Sequence, residues 1–222
     1  MKPLSIGSAN GLPFNKDYWD DMYAEDDESV IDGVFNAEGH ARYLFELFKL
    51  MELNIRSIGD MGFGLGVLLK EFVRQFKPSR IIAIDPSEEC VTRIIKEKWI
   101  KNLNIAIKQS TIEEFDIKFL KEKPLDLIIC NSVLQYLPNK NIEPVFEKLS
   151  LISKYVYITI PTAKDYKYMR TELNFTDPYA YKRSRNFYTK AWKNYFYAIS
   201  HNLLESRQNV KKSPFLYELF RY

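Results

Sequence analysis

Asp60, Gly62, Gly64 and Gly66 stand at alternating positions in Ile55-Arg56-Ser57-Ile58-Gly59-Asp60-Met61-Gly62-Phe63-Gly64-Leu65-Gly66, and Asp85 follows 25 positions after Asp60. Glycines tolerate a positive φ and let a backbone approach a ligand with no Cβ in the way. N–H groups at the start of a following helix attract a carboxylate or a phosphate. Asp60, at the end of an apolar run, is placed to accept from an ammonium. A ligand carrying both a carboxylate and an amine suits that pair. Asp85 is of the type that accepts from two ribose hydroxyls. A dinucleotide fingerprint counted from Gly62 requires glycine at position 67, where Val67 stands. The plainer alternatives are a purely structural turn and, for Asp85, a helix-capping acid.

Elements must place these groups in one crevice. Ile55 to Asp60 reads as a strand, and Leu65, Leu68, Leu69, Phe72, Val73 and Phe76 form a helical stripe that Pro78 ends. Arg80 to Asp85 is a fully apolar run closed by an acid, as a central parallel strand requires. In a parallel βα arrangement the two strands are neighbours, so Asp60 and Asp85 open on the same crevice. Ser87 is the expected cap of the next helix, with Glu88 and Glu89 in its first turn. Further strands are expected at Asn104 to Lys108, Leu125 to Cys130 and Tyr155 to Ile160. Helices are expected at Glu38 to Leu53 and around Ile142 to Leu149. This alternation predicts a parallel sheet wound on both faces. Thr162 to Asn186 shows no clean period and reads as a long connection. Tyr188, Ala191, Trp192, Tyr195, Phe196 and Ile199 predict a late helix, followed by strands at Leu203 to Val210 and Phe215 to Tyr222.

Composition excludes little. The 222 residues are 46% hydrophobic and 27% charged, with a net charge of +3, which does not by itself argue for nucleic acid. Two cysteines in apolar patterns, Cys90 and Cys130, read as buried free thiols. No apolar run approaches the roughly 18 residues of a membrane span, and the first residues lack the apolar core of a secretory signal. A cytoplasmic location is the expectation. Charge is uneven: Asp17 to Glu28 is acidic, whereas residues 164–193 hold eight Lys/Arg against three Asp/Glu.

Taken together, these motifs resemble the class I S-adenosylmethionine-dependent methyltransferases over roughly residues 38–160. Asp60-x-Gly62-x-Gly64-x-Gly66 resembles that family's cofactor loop, and Asp85-Pro86 its ribose-binding acid and the residue after it. Thr111-Ile112-Glu113-Glu114-Phe115 is similar to the adenine segment, where Thr111 would meet the adenine amino group and the Ile112 backbone a ring nitrogen. Asp126 to Leu137 resembles the fourth strand and the loop beside the methyl donor, with Asn131 near the methyl. The resemblance implies a Rossmann-like α/β fold of seven strands, six parallel and the last antiparallel. It also implies S-adenosyl-L-methionine as cofactor, with no metal. Residues 1–37 would be an N-terminal lid and 38–222 the methyltransferase domain, with 162–187 inserted over the substrate.

The chain departs from the family at points that matter for chemistry. Gln135-Tyr136 stands where many members have Glu-His, so no acid–base role carries over, although Tyr136 is placed to stack or bond near the adenosine. The Asn/Asp-Pro-Pro-aromatic motif of members that methylate base or glutamine amines is absent, as is a Pro-Cys nucleophile after strand four. His40 and Tyr136 are weak candidates for a catalytic role, and His201 at the end of the late helix is a further candidate base, a surface or helix-end histidine being the plainer reading of each histidine. Trp19, Tyr23, Tyr181, Arg183 and Arg185 are the candidate acceptor contacts, arginine suiting a carboxylate or phosphate. The expected acceptor is a small molecule, O- or N-methylated, handled by a monomer or homodimer. An RNA or protein acceptor, or a non-catalytic cofactor-binding module, are the competing readings.

Overall fold

The computed structural model describes residues 36–120, 123–175, 177–215 and 221. Five parallel strands make up most of the sheet: β1 (Ser57–Met61), β2 (Arg80–Asp85), β3 (Ile105–Gln109), β4 (Leu125–Asn131) and β5 (Ser153–Thr159), with β3 at one edge. They order as β3-β2-β1-β4-β5 and are extended by β7 (Leu203–Ser206) and the edge strand β6 (Phe196–Ser200). Pairing is parallel through β5, whereas β7 is antiparallel to both β5 and β6. Six strands therefore point one way and the last in the chain points the other, as expected. The chain winds outward from β1 to β3 and then restarts at β4 on the other side of β1. That reversal leaves a crevice at the C-terminal ends of β1 and β4, where ligands bind in open α/β sheets.

Alternating side chains divide the core into two layers. Ile58, Ile81, Ala83, Leu127, Ile129, Tyr155 and Tyr157 face one way. They pack on α1 (Ala37–Leu50), α2 (Val67–Phe76) and α3 (Glu88–Ile94) through Leu44, Phe48, Phe72 and Ile94. Ile82, Ile84, Ile128, Cys130, Val156 and Ile158 face α4 (Asn139–Ile152) and α6 (Arg185–Trp192) through Val145, Phe146, Leu149 and Tyr188. Fully buried Phe72 stacks on Phe76 at 5.8 Å, and burial of one such ring contributes roughly 1.5–3 kcal/mol. Both cysteines are buried free thiols, pushed up by burial and useless as thiolates. No helix among the described residues is long and apolar enough to cross a membrane.

The late third differs from the sequence expectation in two places. Within the supposed connection lies α5 (Ala163–Glu172), started by a reciprocal cap between Thr162 and Asp165. Its only buried residue is Tyr166, so it carries no apolar stripe to betray it. The supposed helix through Ile199 stops at Trp192, and Phe196–Ser200 is a strand instead. Phe196 belongs to one core layer and Ile199 to the other, a division that one helical stripe cannot make but a pleated strand does. The last strand ends at Ser206. Most of the expected strand from Phe215 lies outside the described residues, as do Trp19, Tyr23 and the acidic Asp17 to Glu28.

Candidate active site

Three left-handed glycines shape the turn between β1 and α2: Gly62 at φ 98°, Gly64 at 54° and Gly66 at 75°. Gly62 and Phe63 both donate to the Ile84 carbonyl, at 2.8 and 3.3 Å, which ties the turn to β2. Neighbouring side chains also leave no room for a Cβ. One at position 62 would lie 2.4 Å from Val133 Cγ2, and one at 66 would lie 2.8 Å from Ile94 Cδ1. Gly62 is thus required by packing as well as by φ, whereas at Gly66 the Ile94 methyl could shift and φ is the stronger demand. Gly62 lets the loop after β4 close over the turn.

Asp85 ends β2 and is buried. One carboxylate oxygen accepts from Gly64 N–H and the other from Ser87 N–H, both at 2.8 Å. Burial pushes its pKa up to about 6 against the pull of those two N–H groups. Asp60 is buried one strand over, opposite Ala83 of β2 and Ile129 of β4. Burial, and then the neighbouring Asp85, hold its carboxyl well above the usual range. Beside this acidic pair opens a mainly apolar cleft lined by Gly62, Pro86, Thr111, Ile112, Tyr136 and Leu137 among others. Five positions singled out from sequence therefore line one cleft: Gly62, Pro86, Thr111, Ile112 and Tyr136.

Residues 58–154 match the family model described as a methyltransferase domain. Over that stretch the chain is similar to methyltransferase domains. No curated protein sequence matches it, so the solved structures supply the comparison. Magnesium protoporphyrin IX methyltransferase from Synechocystis PCC 6803, solved with bound S-adenosylmethionine, aligns at 14% identity and a TM-score of 0.58, over 87% of this chain and 92% of that one. The plantazolicin methyltransferase BpumL, solved with S-adenosylhomocysteine, aligns at 18% and 0.54, over 78% and 66%. The small RNA methyltransferase HEN1 aligns at 19% and 0.58, over 72% of this chain and 22% of its own. The chain spans 60–66% of the length of the first solved relatives. Those identities speak for the fold; the acceptors named differ among them.

The donor set suits S-adenosylmethionine, the molecule bound in the Synechocystis structure. A buried carboxylate matches an ammonium, a second matches a pair of hydroxyls, and an apolar cleft matches a flat base. No group of His, Cys, Asp and Glu that would hold a metal ion occurs among the described residues.

Other expected residues fall around this centre. Asn131 ends β4, and its side-chain oxygen accepts from the Thr159 hydroxyl. Ser132 follows with a left-handed φ of 54°, donating its N–H to Thr159 O at 3.0 Å. That strained turn aims the loop at Gly62. His40 lies in the first half of α1 with Nδ1 hydrogen-bonded to the Tyr157 hydroxyl. Tyr157 shares a register row with Ile129 and, across β4, with Asp60. The histidine therefore sits on the same sheet face as the acidic pair, toward β5. Burial, then the charge of His201, hold it below the ordinary histidine value.

The arginines divide. Arg185 is exposed at the start of α6. Arg183, expected to contact the acceptor, is instead buried, with its guanidinium committed to the protein. It donates to Leu134 O at 3.0 Å, to Leu137 O, to Asn139 Oδ1 at 2.7 Å and to the Tyr188 hydroxyl at 3.1 Å. Burial of so polar a group is tolerable only with such partners. Tyr181 packs its ring 4.5 Å from that guanidinium and donates its N–H to Gln135 O. Tyr136 donates its hydroxyl to Asp177 at 2.9 Å, so the segment after α5 is fastened to the loop after β4.

Sequence reading missed Asp177 and Lys148. Lys148 on α4 donates to the carbonyls of Ile112, Glu113 and Phe115. A signal existed: Lys148 lies three residues after Val145, on the border of the buried stripe, where a lysine head needs an acceptor or water.

Proposed function

We propose that the protein transfers the methyl group of S-adenosylmethionine to a small acceptor bearing a carboxylate or phosphate. The observation that carries this reading is the pair of buried carboxylates at the ends of β1 and β2, with Asp85 bonded to the glycine turn. In this reading Asp60 receives the cofactor's ammonium, and the N–H groups around Gly62 to Gly66 face its carboxylate. Asp85 takes the ribose hydroxyls. Pro86, Thr111, Ile112 and Tyr136 bracket the base, while Asn131 borders the methyl. When bound, the cofactor supplies a methyl group already activated by its sulfonium. The protein then has to align the acceptor and keep water out.

A small acceptor is favoured by the packing of the segment after β5. Tyr166, Asp177, Ala180 and Arg183 are buried, so these residues of the segment close on the protein. Lys164, Lys167, Arg170, Lys182 and Arg185 are exposed and free to meet an anionic group. Calorimetric titration with S-adenosylhomocysteine tests the cofactor half, and absence of binding at sub-millimolar concentration would overturn it. Incubation of a cell extract with methyl-labelled cofactor tests the acceptor half. Label is expected in the low-molecular-mass fraction, and label confined to RNA or protein would sink the small-molecule reading.

In this reading His40 removes the acceptor's proton. Its lowered pKa leaves the imidazole neutral at neutral pH, the form that can accept. His40→Gln is expected to lower kcat by about 10²-fold. It should also abolish the acid limb of the pH–rate profile, which in the parent lies below the ordinary histidine value. A variant that keeps that limb would assign it to another group.

A further inference from the structure

The two walls of the cleft beside Asp85 are both irregular backbone. One is the turn after β3, residues 111–115. The other is the short turn Leu134–Tyr136 after β4. Neither has a strand or a long helix to pair its carbonyls, and buried carbonyls must find donors somewhere. Both find a cation on the side chain of a different element. Lys148, from α4, spends its ammonium on three carbonyls of the first wall: Ile112 at 3.1 Å, Glu113, and Phe115 at 3.2 Å. An ammonium has three donors and no acceptor, so all of this lysine's donors are spent on that turn. Asn141, also on α4, adds a hydrogen bond to the Glu113 carboxylate at 3.1 Å. Arg183 brackets the second wall by donating to the carbonyls of Leu134 and Leu137.

From this geometry we infer that Lys148 and Arg183 are positioning residues for the nucleoside half of the cofactor. This inference rests on the reading that the cleft lined by Pro86, Ile112 and Tyr136 holds that nucleoside. Neither cation is among the residues lining the cleft. Each fixes the backbone of a wall that is. With the walls held, the cleft keeps its width before a ligand arrives, and binding need not order two loops. Lys148 and Arg183 lie 35 positions apart. Arg183 also sits in the segment on the acceptor side, so that segment and the nucleoside cleft share a support.

The test uses the full-length protein and two probes, S-adenosylhomocysteine and 5′-methylthioadenosine, which has the same nucleoside without the amino acid. In K148M and in R183M both probes are expected to lose affinity by the same factor, about tenfold, measured by calorimetry on protein that circular dichroism shows to be folded. Lys148 is only half-buried, so K148M decides the matter where R183M fails to fold. A folded K148M with unchanged affinity for both probes would overturn the inference. So would a loss confined to S-adenosylhomocysteine, which would place the effect at the amino-acid end. Unfolding of K148M at the assay temperature would also overturn it, by making Lys148 a residue of the fold. Failure of the parent protein to bind either probe would instead overturn the underlying cofactor assignment.

Discussion

Asp85→Ala is expected to weaken binding of S-adenosylhomocysteine by about 10²–10⁴-fold in a protein that still folds. Two hydrogen bonds to a charged acceptor contribute roughly 1.5–3 kcal/mol each, and every 1.4 kcal/mol or so is tenfold. Part of the loss arises inside the protein, because the Asp85 carboxylate also holds the N–H of Gly64. Asp85→Asn separates the two contributions. Its amide oxygen keeps an acceptor for the turn and loses the charge, so an intermediate loss of roughly tenfold is expected. Unchanged affinity in both variants would remove the ribose assignment.

A pH dependence accompanies the prediction. With its pKa at about 6 rather than 3.8, Asp85 is ionised in the folded protein only above about pH 6. Affinity for S-adenosylhomocysteine should therefore fall as pH drops through that value. The linked effect on ligand-free stability has the opposite sign. The folded state binds more protons than the unfolded state between these two values, so stability falls as pH rises through the window. A shift of this size corresponds to about 3 kcal/mol.

Asp60→Asn should move fold and ligand in opposite directions. The Asp60 carboxyl is held well above its ordinary value by burial and by Asp85, so its charged form destabilises the ligand-free protein at neutral pH. The amide is nearly isosteric and carries no charge. A higher melting temperature is expected at pH 7, on the order of several degrees for a domain of this size. The gain should vanish below the unfolded aspartate's pKa, where Asp60 is protonated in both states. Affinity for S-adenosylhomocysteine should drop by about ten- to a hundredfold, since the partner of the ammonium is lost. Affinity for 5′-methylthioadenosine should stay within about twofold. A lower melting temperature, or equal losses on both probes, would argue against an ammonium partner at this position.

Much of the centre was legible from local pattern. The apolar runs at Ile81 to Ile84 and Leu125 to Cys130 mark buried parallel strands, and the stripe through Phe72 and Phe76 marks the helix after the glycines. Their alternation places Asp60 and Asp85 at neighbouring strand ends without any knowledge of coordinates. The late third was less legible because its periods are ambiguous. Tyr188 to Ile199 satisfies a helical spacing, yet Phe196 pairs with Ser206 across β6 and β7. Pairing with a distant strand outweighs a local stripe there. In α5 the Thr162-x-x-Asp165 cap was present in the sequence and unaccompanied by an apolar face.

By itself the sequence determined the strand–turn–helix at Asp60 to Phe76, the topology around it and the chemical character of its two acids. These follow from short-range periodicity and from the conformations that glycine alone tolerates. Only the tertiary structure decided that Gly62 must also clear Val133, that Arg183 turns inward, and that Lys148 serves three carbonyls of a loop 33 to 36 residues away. A buried cation is defined by the acceptors brought to it, and no local pattern records which distant carbonyls those will be.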